Sequence, residues 1–304
     1  MTYVETLNNT ITKSTNMTNL NIVAQEIREI LEEKRNQLQL SFTEEDHVYF
    51  MKDLDGKSRH DFPSVSKVLK KFYREFPTEE AAFNKAGGDI LEAERLVNEW
   101  KQLGEISTNM GSRVHYFLET ELVKRNGEYK EVRKPIFECD LVTMGKGDSM
   151  ITAGKRYLDL CEQRNLALLD TEMVLGHPEL GYVGQPDKVW LTMNAKGDGF
   201  GILITDWKTN KEKNFQTNKF TESMYEPFGE YPNNALGHYY LQLPFYGKLL
   251  LKMLEGTKYE GIQLLGSIVV LLKEDTTYEE FRVPKDVIRT IMEMDTKSLL
   301  SPKK

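Results

Sequence analysis

The chain has 304 residues, 39% hydrophobic and 29% charged, enough to bury about three quarters of its unfolded surface as an ordinary globular protein. Two cysteines, Cys139 and Cys161, exclude a disulfide framework and paired-cysteine metal sites, and no run of about 18 apolar residues is present to span a membrane. A formal charge of −7, from 40 basic and 47 acidic residues, excludes a uniformly basic surface but leaves room for one basic stripe beside an acidic site.

The first twenty residues contain Glu5 and no arginine, and lack a continuous apolar core. Neither a secretory signal nor a transit peptide is read there, and a reducing cytoplasm is the expected setting. Residues 1–17 are polar and aperiodic and read as a disordered tail. Val23, Ile27, Ile30 and Leu31 then recur at helical spacing, which predicts an accessory helix over 20–38. A hairpin is expected from 40–42 and 48–51, and helices over 65–73, 89–101, 111–124 and 150–164.

Strand-like runs follow at 167–175, 182–183, 188–192 and 202–207. The polar insertion Asn194–Gly199 lies between the last two and reads as the tip of a long hairpin. The stretch 210–234 exceeds ordinary loop lengths and is expected to form a flap. A helix over 235–254, a strand over 261–272 and a helix over 285–294 complete the pattern. The fold class is α/β or mixed α+β, a central mixed β-sheet flanked by helices, with a main domain over 41–304.

Ile202-Leu203-Ile204-Thr205-Asp206-Trp207-Lys208 is an apolar strand that ends in a carboxylate and an ammonium two residues apart, hence on one face. Upstream, Gly184-Gln185-Pro186-Asp187 sets a second carboxylate at a bend. Two carboxylates supply hard oxygen ligands for Mg²⁺ or Mn²⁺, and an adjacent lysine can orient water and offset charge developing on phosphorus. An isolated Asp-x-Lys is more often a plain strand-end pair. Its meaning depends on company.

Pro186-Asp187 followed by Asp206-Trp207-Lys208 resembles the PD-(D/E)XK nuclease signature. Gly111-Ser112-Arg113-Val114-His115-Tyr116-Phe117-Leu118-Glu119 resembles the G-x-x-x-H-x-x-x-E helix of its RecB-like branch, and Gln242-Leu243-Pro244-Phe245-Tyr246 the Q-x-x-x-Y helix that follows the sheet. With Phe62-Pro63-Ser64-Val65-Ser66, the flanks are similar to mitochondrial genome-maintenance exonucleases and related phage and bacterial enzymes over about residues 60–255.

The resemblance implies a restriction-endonuclease-like core and a DNA exonuclease acting on single strands or ends. It implies a metal held by His115, Asp187, Asp206 and the carbonyl of Trp207, with Lys208 catalytic and Gln242 and Tyr246 near the catalytic strand or the DNA. Glu119, one turn beyond His115, stands either as a further ligand-orienting group or as an ordinary helix pair, and Glu172 is a possible additional carboxylate. Two cysteines cannot build the four-cysteine iron–sulfur cluster of some relatives. No P-loop is present, so any helicase or recombination protein would be a separate partner.

DNA contacts are expected from Ser64, Ser66, Lys67, Lys70, Lys71 and Arg74 on one helix, extended by Lys211 and Lys213. A non-catalytic DNA-binding scaffold and a restriction-type endonuclease are the alternatives. The intact Asp187, Asp206 and Lys208 speak against the first, and the lack of an identifiable target-recognition region against the second.

Overall fold

The computed structural model describes residues 3–300 apart from 44, 45, 47, 136 and 138, with side chains from residue 19 onward. Its elements are α1 (Tyr3–Leu38), β1 (Ser41–Thr43), β2 (Val48–Lys52), β3 (Ser58–Arg59), α2 (Val65–Leu69), α3 (Thr78–Lys85), α4 (Ile90–Arg125), α5 (Leu141–Gln163), β4 (Ala167–Thr171), β5 (Leu175–His177), β6 (Tyr182–Gly184), β7 (Lys188–Met193) and β8 (Phe200–Lys208). A 3-10 turn, Glu212–Phe215, leads to α6 (Ala235–Met253), β9 (Gln263–Leu272), β10 (Tyr278–Arg282), α7 (Lys285–Glu293) and α8 (Thr296–Leu300).

Five strands form the central sheet in the order β10-β9-β8-β7-β4, with β8 and β9 parallel and every other pair antiparallel. The parallel pair is joined through α6, the helical crossover such a pair requires. Because side chains alternate, the sheet has two apolar faces. Leu169, Val189, Leu191, Ile202 and Ile204 pack toward α1 and α6, while Leu168, Trp190, Trp207 and Val270 pack toward α4 and α5. Two small sheets, β1-β2-β3 and β5-β6, flank it. The expected mixed sheet with helices on its faces is the observed architecture.

Several element boundaries depart from the expected ones. The tail expected over 1–17 is helical from Tyr3, continuous with the rest of α1; residues 1 and 2 lie outside the described residues. Nor is α1 an appended arm. Leu20, Ala24, Ile27 and Leu31 are buried in the same cluster as the sheet residues, and the Arg28 guanidinium donates to the carbonyls of Leu168 and Leu169 at 3.0 and 3.2 Å.

The helices expected over 89–101 and 111–124 are one, α4, capped by the Asp89 carboxylate on Glu92 N–H at 3.1 Å. Gly104 and Gly111 in its middle weaken the periodic signal, but each costs only about 1 kcal/mol in a helix interior and no proline intervenes. The helix α5 starts well before residue 150, where Asp140 accepts from Val142 and Thr143 N–H at 2.8 and 2.9 Å. The strand expected over 167–175 breaks at Glu172, whose φ is +45°. Both α3 and β10 add to the expected pattern.

The expected flap over 210–234 does not stand off the body. Phe215, Met224 and Phe228 are core residues, and Tyr225 N–H donates to the Phe72 carbonyl at 2.7 Å. Its polar composition hides three apolar anchors spaced without period.

If α1 belongs to the core, Ile27→Ala should cost about 2–4 kcal/mol in chemical denaturation, the usual range for emptying a fully buried aliphatic site. A loss under about 0.5 kcal/mol, typical of surface changes, would return α1 to the role of an arm.

Candidate active site

The antiparallel pairing of β7 with β8 sets Lys188 opposite Thr205, so Asp187 and Asp206 come level at one end of the sheet. The N–H of Trp207 donates to Asp187 Oδ2 at 3.3 Å, tying the second strand end to the first carboxylate. The helix α4 then approaches closely because it carries Gly111: a Cβ there would sit 3.2 Å from Thr209 Oγ1. One turn later, His115 is brought between both chains. Its Nε2 lies 3.0 Å from the Trp207 carbonyl oxygen and its Nδ1 3.3 Å from Asp187 Oδ2.

A third carboxylate enters through the break in the first strand. The N–H of Glu172 donates to the Asp187 carbonyl at 3.0 Å, and the Gln185 amide donates to the Glu172 carbonyl at 3.0 Å. Those bonds hold Glu172 in the left-handed region, a conformation that costs a non-glycine residue about 1–3 kcal/mol and clusters at functional sites. The outcome is a group of His115, Glu172 and Asp187 whose ligand atoms all lie within 4.8 Å of one another.

Burial, joined by the charges of Asp187 and Glu119, pushes the Glu172 carboxyl well above the ordinary range. Burial and Asp187 do the same to Asp206, against Lys208. Burial acts on Asp187 too, but nearby positive charge, that of Lys188 first, outweighs it and holds that carboxyl low. Burial also pulls the His115 imidazole down, so it is neutral against an opposing pull from Asp187.

Lys208 reaches Asp206 Oδ2 at 2.6 Å and lies 4.3 Å from the centre of the Tyr239 ring. Burial opposes its charge, yet Asp206 and Asp187 raise its pKa above the usual lysine value. On α6, the Gln242 amide donates to the Tyr246 hydroxyl at 2.7 Å, and Tyr246 lies within reach of the charges of Asp206 and Lys208. Gly184 permits this closeness, since a Cβ on it would lie 2.6 Å from the Tyr246 ring. Glu119 is turned aside: its Oε1 accepts from Thr171 Oγ1 at 2.7 Å and pairs with Lys130 at 3.3 Å. It tunes Glu172 by charge and is not one of the three grouped ligands.

Three residues beside the site were not singled out from sequence. Tyr239 and its partner Asn210, bonded at 3.0 Å, cover Lys208, and neither follows from local pattern. Lys188 is 1% exposed, 3.4 Å from Asp187 Oδ2 and 3.3 Å above the Trp207 ring centre. Its signal was available: it occupies an inward position of β7, two residues before the buried Trp190, where alternation calls for an apolar side chain.

The stripe expected over 64–74 is divided. Only 65–69 is helical, with Ser64 as N-cap accepting from Lys67 N–H and Ser66 and Lys67 exposed. Lys70 pairs with Glu75 at 2.5 Å, Lys71 donates to the Leu299 carbonyl at 2.8 Å, and Arg74 faces Glu80 and Glu222 at 3.6 and 3.5 Å. A groove of about 1800 Å³ lies elsewhere, between α4, the start of α5 and the chain after β8. It holds Lys101, Lys211 and Lys213, which make no ion pair among the described residues, and an aromatic pair, Phe76 and Trp100, with ring centres 6.4 Å apart. Asp140, Glu212, Glu274 and Asp275 line it as well; Asp187, Asp206 and Glu172 do not, but Gly111 and Thr209 do, the latter one residue past Lys208.

The donor set fits a small divalent cation. A neutral imidazole has one N–H, yet both His115 nitrogens face oxygens, so one lone pair opposes another unless a cation or a second proton intervenes. Asp206 Oδ1 is buried without a hydrogen-bond partner among the described residues. Carboxylate, carbonyl and imidazole together suit Mg²⁺ or Mn²⁺. No family model matches this chain, and no curated protein is significantly similar to it.

Because the Glu172 pKa is raised in the fold, its contribution to stability is present in acid and lost as pH rises through that pKa. In chelator, wild-type protein should therefore lose stability as pH rises above the ordinary glutamate range, while Glu172→Gln has a flatter profile and melts higher at the alkaline end. Equal pH profiles would show that Glu172 is not held protonated.

Proposed function

We propose that this chain is a metal-dependent nuclease of RecB-like PD-(D/E)XK type that hydrolyses phosphodiester bonds in DNA. The observation that carries the reading is the convergence on one strand end of Asp187, Asp206, His115 and the Trp207 carbonyl, with Lys208 on Asp206 at 2.6 Å. Surface ion pairs do not account for it, because Asp206 is 2% exposed and one of its oxygens is unpartnered among the described residues. Buried carboxylates left in that state cost stability and are retained where chemistry needs them.

In this reading Asp187, Asp206, His115 and the Trp207 carbonyl would hold Mg²⁺ or Mn²⁺, with Glu172 adjacent. When bound, such an ion would supply electrophilic activation of the phosphodiester and of the attacking water. Lys208 does what a cation beside a carboxylate can do: it favours the charged form of Asp206 against burial and Asp187, and presents N–H donors toward charge that develops on phosphate oxygens. Tyr239 covers the Lys208 ammonium on one side, which restricts its approach. The Gln242–Tyr246 hydrogen bond holds Tyr246 within reach of the charges of Asp206 and Lys208.

Substrate reaches the site along the groove that begins at Thr209. Lys101, Lys211 and Lys213, without ion pairs among the described residues, and the Phe76–Trp100 pair suit an unstacked single strand or a frayed end, since aromatic faces accept any base and ammonium groups follow phosphates. This supports an exonuclease or end-directed activity over cleavage within a continuous duplex.

Asp206→Asn and Lys208→Ala should each lower cleavage of end-labelled single-stranded DNA by at least about 10²–10³-fold in Mg²⁺ or Mn²⁺, with circular dichroism unchanged. Full activity in either variant, or cleavage persisting in EDTA, would overturn the reading, and efficient cutting of circular duplex would overturn the end-directed part. Trp100→Ala should weaken single-strand binding by about 1–3 kcal/mol. Unchanged affinity would remove the groove from the substrate path.

A further inference from the structure

Lys188 is not a residue the proposed chemistry requires, yet it is among the most deeply buried side chains of the protein. A lysine stem packed in an apolar layer ordinarily extends its ammonium to water. Here the ammonium ends inside, on Asp187 Oδ2 at 3.4 Å and over the Trp207 indole at 3.3 Å from the ring centre. That same Oδ2 receives the Trp207 N–H at 3.3 Å and faces His115 Nδ1 at 3.3 Å. Three groups from three parts of the chain thus crowd one oxygen of Asp187.

We propose that Lys188 is the resident counter-ion of the acidic cluster: by holding Asp187 through Oδ2 it leaves that carboxylate one oxygen for a cation and restricts the site to a single divalent ion. The inference rests on the metal-dependent reading of the site. A carboxylate bridges two metal ions by giving an oxygen to each, the arrangement of sites whose ions stand about 3.5–4 Å apart. With Oδ2 engaged by the Trp207 N–H and the Lys188 ammonium, Asp187 has no second oxygen to share.

Charge points the same way. Lys188 on Asp187 and Lys208 on Asp206 already set a cation against each aspartate, so every divalent ion added to the enclosure is placed beside two resident ammonium groups. Lys188 also acts through Trp207. Its ammonium pins the indole whose own peptide supplies the carbonyl facing His115, so it positions the opposite ligand as well. Lys188 is therefore a positioning residue, and the cluster keeps its form before any ion arrives.

The test measures ion binding by Mn²⁺ titration, followed by electron paramagnetic resonance of the free ion, on the full metal-stripped chain. Wild type should take up one ion, lost in Asp187→Asn. Lys188→Met should bind Mn²⁺ about tenfold more tightly, because a repelling charge is removed, while cleaving more slowly, a split no loss of packing produces. Two tight Asp187-dependent ions in wild type, or no gain in affinity in folded Lys188→Met, overturns the proposal.

Melting in EDTA covers the case in which ion binding is not seen. Lys188→Met should lower the melting temperature and the double variant with Asp187→Asn should recover part of the loss, whereas strictly additive losses overturn the counter-ion role. A wild-type chain that binds no Mn²⁺ overturns the metal-dependent reading, and the melting series then still decides on Lys188.

Discussion

Three carboxylates gathered at one end of a mostly buried sheet set the terms for everything around them. Asp187, Asp206 and Glu172 repel one another where water cannot screen them, and each is disfavoured in its charged form by burial. A fold keeps such a cluster only by ringing it with compensating groups. Lys188 and Lys208 supply positive charge, Trp207 an N–H, and the left-handed turn at Glu172 the backbone bonds that keep the third carboxylate in place.

The scaffold is built so that those groups arrive from separate directions. The strand pair β7-β8 fixes the two aspartates level with each other. The helix α4 delivers His115 from one face of the sheet, and α6 brings Tyr239 over Lys208 and Tyr246 within reach of the charges of Asp206 and Lys208. Close approach is possible because Gly111 and Gly184 present no Cβ where Thr209 and Tyr246 press in. The glycines of the two motifs thus serve distance rather than flexibility. Both long helices are anchored by large apolar surfaces, which is the rigidity a positioned site needs.

Much of this was legible along the chain. The strand-like runs 188–192 and 202–207 mark the hairpin that the structure extends to Lys188–Met193 and Phe200–Lys208, and the two-residue spacing of Asp206 and Lys208 places them on one face. What local pattern misread shares a cause: it was an average over neighbours. Glycines in α4 and α5 diluted helical periodicity without breaking the helices, since tertiary packing outweighs about 1 kcal/mol of propensity. The polar stretch 210–234 concealed Phe215, Met224 and Phe228, which are held by contacts distant in sequence. The basic residues from Lys70 to Arg74 looked free because Glu75, Glu80, Glu222 and the Leu299 carbonyl come from other elements.

By itself, then, the sequence determined the mixed sheet and singled out the residues for which chemistry is proposed: the two aspartates, the lysine beside the second, and the histidine on a glycine-bearing helix. Those are properties of residue type and short spacing. Only the tertiary structure decided that Glu172 turns into the cluster while Glu119 is drawn away to Thr171 and Lys130, that Lys188 ends on Asp187, and that the open groove begins at Thr209. Partner choice among buried charges depends on which groups the fold brings within a few ångströms, and pairs so distant in the chain leave no local trace.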